Sequence, residues 1–444
     1  MAKVTFIGAG SLGFARRLII DVLNCPAMRD THFCLMDVDP KRLDYTRRIG
    51  ERIIREQKMP AKVTATTDRR EALRDADFVV IMLLAHGVEP IEAEYRIPLK
   101  HGIDQCVGDT LGPGGVFRFL RTAPMILDVC RDVMDVAKPN CWVLNYTNPM
   151  SMLTWAAYRG CPGIKFVGLC HSVQGTTEML AKAIDVPYED VRYWVGGINH
   201  QAWVLQFRHK DGTDLYPRLK EALPKSPRNK PGIADGEMVR IMMMQHLGYF
   251  VTESSGHNSE YNPWFRKRSD LIEKYTGPDF AGESGFIARA YGKDREGWEK
   301  GLEDQVNQAD PIDFVRSHEY GSGIINAIWT DAPFRIYGNV RNDGLITSLP
   351  EGCCVEVPCL VDGHGVNPCF VGELPPQCAA LNRMNVSEHE LAVAAFFEHS
   401  RERLYQSLYY DPLTAAKLSL PEIRAMADEM IAVETQHGWL PPLR

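Results

Sequence analysis

The chain has 444 residues, 45% of them hydrophobic, with a formal net charge of −7. Such a length gives core enough for more than one domain. The acidic balance argues against nucleic acid as a partner, and no apolar run is long enough for a membrane span. Twelve cysteines are scattered without a C-x-x-C pair. The chain enters a strand at once, leaving no room for a signal peptide, so the expected setting is a reducing cytoplasm.

The first predicted element is an apolar strand, residues 3–7, running into Gly8-Ala9-Gly10-Ser11-Leu12-Gly13. A second strand, residues 32–36, ends on Asp37. Each piece has a physical task in binding a dinucleotide. Gly8 permits the tight turn. Gly10 lets a pyrophosphate approach the backbone, and Gly13 lets the following helix pack on the strand. Ser11 lies within the turn, the helix N-terminus faces the phosphates, and Asp37 accepts from the ribose hydroxyls. An acid rather than an arginine at that strand end favours NAD over NADP. The alternative is a glycine-rich turn without a ligand.

Residues 40–57 read as a charged amphipathic helix and 62–66 as a strand. Residues 78–82 form a buried strand, and 141–145 and 165–169 two more. Strand–helix alternation of this kind predicts an α/β, Rossmann-like, doubly wound sheet with helices on both faces. Ligands of such sheets bind beyond the carboxyl ends of the strands, where Asp37, Asn145 to Asn148 and Cys170 fall.

From about Val191 the pattern changes. Residues 221–231 read as a proline- and lysine-rich loop, and 237–246 as a methionine-rich helix. Strands are expected at 336–340 and 354–361, and helices at 387–408 and 421–433, with Ser387 and Glu390 as a capping box. The expected division is a dinucleotide-binding domain over 1–195. A second, mixed α/β domain over 196–444 would carry substrate and oligomer contacts.

Four clusters carry polar chemistry. Cys170 and His200 offer a thiolate and an imidazole, a pair that suits a borderline divalent ion such as Mn²⁺. A buried thiol and a hydrogen-bonded turn histidine explain them as well. Residues 108–115 (GDTLGPGG) read either as a cleft lining or as a turn before a helix. Asn148-Pro149 reads as a helix cap, with Pro149 in the first turn, or as an amide that reads sugar hydroxyls. His257 and Tyr261 close a dense polar stretch, residues 252–261, that suits a site loop or a surface turn.

In this order, the GAGS turn, GPGG, NYTNP, Cys170-His171-Ser172-Val173, Gly197-Ile198-Asn199-His200 and residues 337–344 (YGNVRNDG) resemble glycoside hydrolase family 4 over nearly the whole chain. Residues 248–255 and 353–357 bring it nearest to the members that cleave α-galactosides such as melibiose. The resemblance implies a hydrolase that uses NAD⁺ and a divalent metal, an exception among glycosidases. NAD⁺ takes hydride from C3, a base removes the C2 proton, and the metal stabilises the enediolate. The glycosidic oxygen then leaves C1, water adds, and the ketone is reduced again.

By position, the resemblance implies Cys170 and His200 as metal ligands and Asn148 as a sugar contact. His171 stands where the phosphoglycoside-cleaving branch has an acidic aspartate; a histidine also donates a proton near neutral pH. Tyr261 is the first choice for the C2 base and His257 the second. Ile91 occupies the place of that branch's phosphate-reading arginine, so an unphosphorylated glycoside is expected. α-Glucosides, α-galacturonides and α-glucuronides are the alternatives within the family. NAD-dependent 2-hydroxy acid dehydrogenases share the same opening and are the alternative class, and a non-catalytic NAD-binding regulator is a third. The expected partner is a small glycoside, and the expected assembly a homo-oligomer.

Overall fold

Residues 1–292, 295–308 and 310–444 are described by the structure, a computed structural model. Its strands are β1 (Lys3–Ile7), β2 (His32–Met36), β3 (Lys62–Thr66), β4 (Phe78–Ile81), β5 (Trp142–Asn145), β6 (Phe166–Gly168), β7 (Val191–Ile198), β8 (Gln201–His209), β9 (Phe250–Val251), β10 (Phe334–Arg341), β11 (Cys354–Asp362) and β12 (Gly365–Pro368). They form one sheet, in the order β3-β2-β1-β4-β5-β6-β10-β11-β7-β8-β9, with β12 on β11. The first six are parallel, in the 3-2-1-4-5-6 order of a dinucleotide-binding fold whose crevice opens where the order reverses, between β1 and β4.

The remaining strands pair antiparallel. They join the parallel half through a single pair, Asn339 with Gly168, and β7 runs across the expected boundary at 195/196.

Alternation along β1 builds the two core layers. Phe6 joins the layer containing Leu18, Phe33 and Trp203. Its neighbour Ile7 faces the other, with Val79, Phe117 and Met426. Successive strand side chains point to opposite faces, and each large apolar residue so buried contributes about 1.5–3 kcal/mol.

The turn after β1 is tight. Gly8 has φ +85°, and a Cβ there would lie 2.8 Å from the backbone of Leu83. The backbone N–H of Gly10 donates to Asp37 Oδ2 at 2.7 Å, and a Cβ on Gly10 would sit 2.8 Å from that oxygen. At Gly13 a Cβ would meet nothing within 4 Å, so close packing of helix on strand does not require this glycine.

Two expected caps are placed differently. The helix after β5 spans Met150–Gly160, with Pro149 at the capping position, and Asn148 turns its amide to Asp109 instead. Ser387 lies inside the helix Pro376–Glu398 and donates to the Arg383 carbonyl. The capping box occurs at Ser419 and Glu422, before the helix Leu420–Gln436. A serine–glutamate spacing inside a long helical run carries no start signal, because the preceding turn already satisfies its N–H groups.

Candidate active site

Beyond the carboxyl ends of the strands, three segments bring metal-ligating atoms together. Cys170 follows β6. Asn199-His200 is the two-residue turn of the β7–β8 hairpin, and Glu253 follows β9. Cys170 Sγ lies 3.4 Å from His200 Nε2, and Glu253 Oε2 lies 3.7 Å from the same nitrogen. All three donor atoms fall within 4.8 Å of one another. Two ligands of one ion at ordinary bond lengths sit roughly 3–3.6 Å apart, so the triangle is of the size a divalent cation needs.

His200 and Glu253 have φ of +61° and +73°. A hairpin turn ordinarily places glycine or asparagine in such a conformation. Strain held by non-glycine residues at one place is a mark of function.

Electrostatics divide the site. Burial lowers the His200 imidazole to about 4, so it is neutral and has a free lone pair. Burial and the nearby Glu253 and Glu356 carboxyls push the Cys170 thiol well up, so a cation binding there displaces its proton. Burial opposes ionisation of Glu253, but the imidazoles of His200 and His257 outweigh it and hold Glu253 below the usual range.

His257 lies between two acids. Its Nδ1 is 3.1 Å from Glu253 Oε1 and its Nε2 3.4 Å from Asp109 Oδ1. Against the penalty of burial, these two hydrogen bonds raise its pKa well above normal, so it is an imidazolium. Asp109 is correspondingly held low, against burial, by the bond to His257 and by Arg118. Asn148 Nδ2 donates to Asp109 at 3.0 Å. Asp109 therefore lines the site, and residues 108–115 are more than a turn.

Tyr261 is 1% exposed and donates its hydroxyl to Thr110 Oγ1 at 2.8 Å. Its ring centroid lies 6.2 Å from that of His200. Burial and the surrounding Asp109, Glu260 and Glu253 keep its hydroxyl protonated. His171 faces outward, with its side chain 70% exposed, and its Nδ1 is 3.5 Å from Glu319 Oε1. The buried Glu260 carboxylate accepts from the backbone N–H groups of Cys106, Val107 and Gly108, which pins the bent segment before Asp109 against the helix Ser255–Glu260.

Sequence reasoning missed Glu253 and Asp109 as members of this cluster. The available signal for Glu253 was its place in a dense polar run, residues 252–261. For Asp109 it was a charged residue inside a glycine-rich loop.

Behind the triangle, Glu356 is fully buried on β11 beside Asn339. Burial and the Glu253 charge raise its carboxyl from 4.5 to about 8. The folded protein then keeps a proton that the unfolded chain loses above pH 4.5. Stability from this group is unaffected below that pH and falls as pH rises towards 8. Relative to wild type, metal-free Glu356→Gln should gain stability between pH 5 and pH 8 in denaturant titrations. A difference that stays constant with pH would place the proton elsewhere.

The cofactor side shows matching features. Ser11 makes no side-chain cap to the helix Leu12–Leu23, which leaves that N-terminus free to face phosphates. Val38, next to Asp37, is 83% exposed and offers an apolar surface.

Comparison with known proteins agrees over the full length. The profile described as "Family 4 glycosyl hydrolase" matches residues 3–186, and that of the "Family 4 glycosyl hydrolase C-terminal domain" matches 195–414. The chain is 41% identical to an alpha-galactosidase of Bacillus subtilis (strain 168) across 99% of both chains. It is 37% identical to an alpha-galactosidase of Rhizobium meliloti (strain 1021), covering 99% of this chain and 89% of that one. A 6-phospho-alpha-glucosidase from gut microorganisms, solved with NAD and Mn²⁺, superposes with a TM-score of 0.83 over 100% of both chains at 23% identity, a likeness of fold. With both halves matched and identity above 40% to a curated member over 99% of its length, the chain belongs to family 4 of the glycosyl hydrolases.

Proposed function

We propose that this protein hydrolyses unphosphorylated α-galactosides such as melibiose, using NAD⁺ and a divalent cation, Mn²⁺ first among candidates. The observation that carries the reading is the Cys170–His200–Glu253 triangle, set beyond the parallel strands of a dinucleotide-binding half, in a chain 41% and 37% identical to two alpha-galactosidases. The donor set, one thiol, one neutral imidazole and one carboxylate, suits a borderline divalent ion. The Gly8–Gly13 turn with Ser11, the uncapped helix behind it and Asp37 suit NAD⁺. When bound, the dinucleotide would take up a hydride from C3 of the sugar and later return it, and the cation would polarise the sugar oxygens beside it.

The chain's own residues do the rest. Asp109 and Asn148, already bonded to each other, orient sugar hydroxyls. His257 stays charged between Asp109 and Glu253 and holds both acids in place. Tyr261 removes the C2 proton, and His171, open to the cleft edge, protonates the departing oxygen. A dehydrogenase would accumulate net NADH; the match of both halves to glycosyl hydrolase models supports the hydrolase reading instead.

The specificity argument is one of charge. Ile91, where a phosphate-reading arginine was expected in relatives, is 5% exposed. The nearby Arg118 lies 4.0 Å from Asp109, and a second anion in that place would face the aspartate. A phosphate carries nearly two negative charges and normally meets unengaged Arg or Lys. We also propose a cytoplasmic homo-oligomer, with the dinucleotide half at 1–195 and the substrate and oligomer half at 196–444. No helix among the described residues is long and apolar enough to cross a membrane.

The test is kcat/KM across nitrophenyl α-galactoside, α-glucoside, α-galacturonide, α-glucuronide and a 6-phospho sugar, with NAD⁺, Mn²⁺ and thiol present. The α-galactoside should lead, without net NADH, and dialysis with a chelator should abolish turnover. A uronide or 6-phosphate preference would refute the galactoside assignment. Full activity after removal of NAD⁺ and metal would refute the redox mechanism.

A further inference from the structure

The helix Pro376–Glu398 lies behind the site and contributes no atom to it. Its buried face is nonetheless polar where an apolar face would pack more cheaply. Asn382, Asn385 and Glu388 are each 0% exposed. Spaced three apart, they lie along one side of the helix. None of the three spends its polar group on another side chain of the helix. Asn382 Nδ2 donates to the Gln201 carbonyl at 2.8 Å and its Oδ1 accepts from Trp203 Nε1 at 2.7 Å. Asn385 Nδ2 donates to the Tyr261 carbonyl at 3.3 Å. Glu388 Oε1 accepts from the backbone N–H of Gly112 at 2.6 Å.

The three backbone partners are not a random sample. Gln201 is the residue after His200, in the hairpin turn that offers a metal ligand. Tyr261 ends the short helix that carries His257. Gly112 opens the helix that follows the Asp109 loop. These are separate segments of chain, far apart in sequence, whose side chains meet only at the site.

We infer that the Asn382–Asn385–Glu388 row is a set of positioning residues, one for each of the three segments that assemble the active site. A single rigid helix sets the distances between the His200 turn, the Tyr261 segment and the Asp109 loop. Buried polar groups cost stability unless paired. Here each reaches a backbone group of another segment, Asn382 bonding the Trp203 indole as well and Asn385 also its own helix at the Leu381 carbonyl, and those backbone bonds fix where a segment runs without dictating which residue the segment carries. Catalysis needs reacting groups held to a fraction of an ångström, and a misplacement of about 1 Å costs roughly a hundredfold. Outer supports of a metal ligand are worth about 10–100-fold in affinity or activity.

The inference rests on the site reading above, and it predicts a division of effects that bulk destabilisation does not produce. Asn382→Ala should weaken Mn²⁺ binding, measured by calorimetry, by about tenfold or more, because it frees the His200 turn. Glu388→Ala should lower kcat by a similar factor and leave Mn²⁺ affinity within about twofold, because it frees only the Asp109 loop. Glu388→Gln keeps the acceptor for Gly112 N–H and should restore kcat to within about twofold of wild type.

Melting curves and circular dichroism accompany each variant, and assays run well below every melting point. Asn385→Ser, a milder cut reaching Tyr261, carries the kcat arm if Glu388→Ala is not recovered folded. Variants that melt early yet keep wild-type kcat and Mn²⁺ affinity would overturn the inference, as would Glu388→Gln as impaired as Glu388→Ala. Wild-type protein that binds no Mn²⁺ would bring down the site reading, and this inference with it. Wild type that binds, with Asn382→Ala binding equally well, would bring down the inference alone.

Discussion

His200→Ala and Cys170→Ser are each expected to lower kcat/KM for the α-galactoside by about a thousandfold or more. A metal acting as Lewis acid contributes several kcal/mol to a transition state that develops charge on oxygen, and about 4 kcal/mol corresponds to three orders of magnitude. Either substitution removes one corner of the triangle and leaves only two protein ligands for the ion. The effect should appear as lost metal in the purified protein. The fold should survive, since Ser is nearly isosteric with Cys. His200, though 3% exposed, leaves a cavity next to polar neighbours rather than in the apolar layers. Binding of NAD⁺ should persist, because Gly8 and Gly10 lie in the turn after β1 and Asp37 directly follows β2, away from the triangle. Metal analysis, dinucleotide titration and turnover on the same preparations separate these outcomes. Wild-type turnover with wild-type metal content in Cys170→Ser would show that the ligand assignment is wrong.

Tyr261→Phe should slow removal of the C2 proton by roughly 10²–10⁴-fold, the usual worth of a positioned base. The hydroxyl lost is the one bonded to Thr110, so folding should suffer by only about 1 kcal/mol. Burial and three carboxyls keep this tyrosine protonated in the metal-free protein. A cation held at Cys170, His200 and Glu253 places positive charge nearby and favours the phenolate. Exchange of the C2 hydrogen with solvent deuterium is the direct readout, independent of bond cleavage. If exchange is unchanged in the variant, the base moves to His257. That residue begins at a disadvantage, because an imidazolium held between Glu253 and Asp109 has no lone pair to offer.

The parallel half was legible in the sequence because its signals are local. Strands buried on both faces read as short apolar runs, and bounds moved by a residue at most between expectation and structure for 3–7, 32–36 and 78–82, as they did for the edge strand 62–66. The glycine turn and Asp37 are likewise short-range: Gly10 and Asp37 meet because β1 and β2 are neighbours in register. Helix starts were less legible. The Ser387–Glu390 pair has the spacing of a cap but lies within a helical run, and Asn148 is diverted by Asp109, a partner far away in sequence.

What the amino-acid sequence alone determined was the family, the dinucleotide-binding turn, and Cys170, His200, Asn148 and Tyr261 as residues worth placing. Only the tertiary structure decided how they meet. It added Glu253 to the pair from which it stands tens of residues away, made His257 a charged link between two acids, and turned Asp109 from loop composition into a site group. It also brought the second half onto the same sheet through one contact, Asn339 with Gly168. The physical reason is range. Periodicity and turn chemistry act over a few residues, whereas a metal triangle and a shared proton depend on distances of a few ångströms between segments that only a packed core brings together.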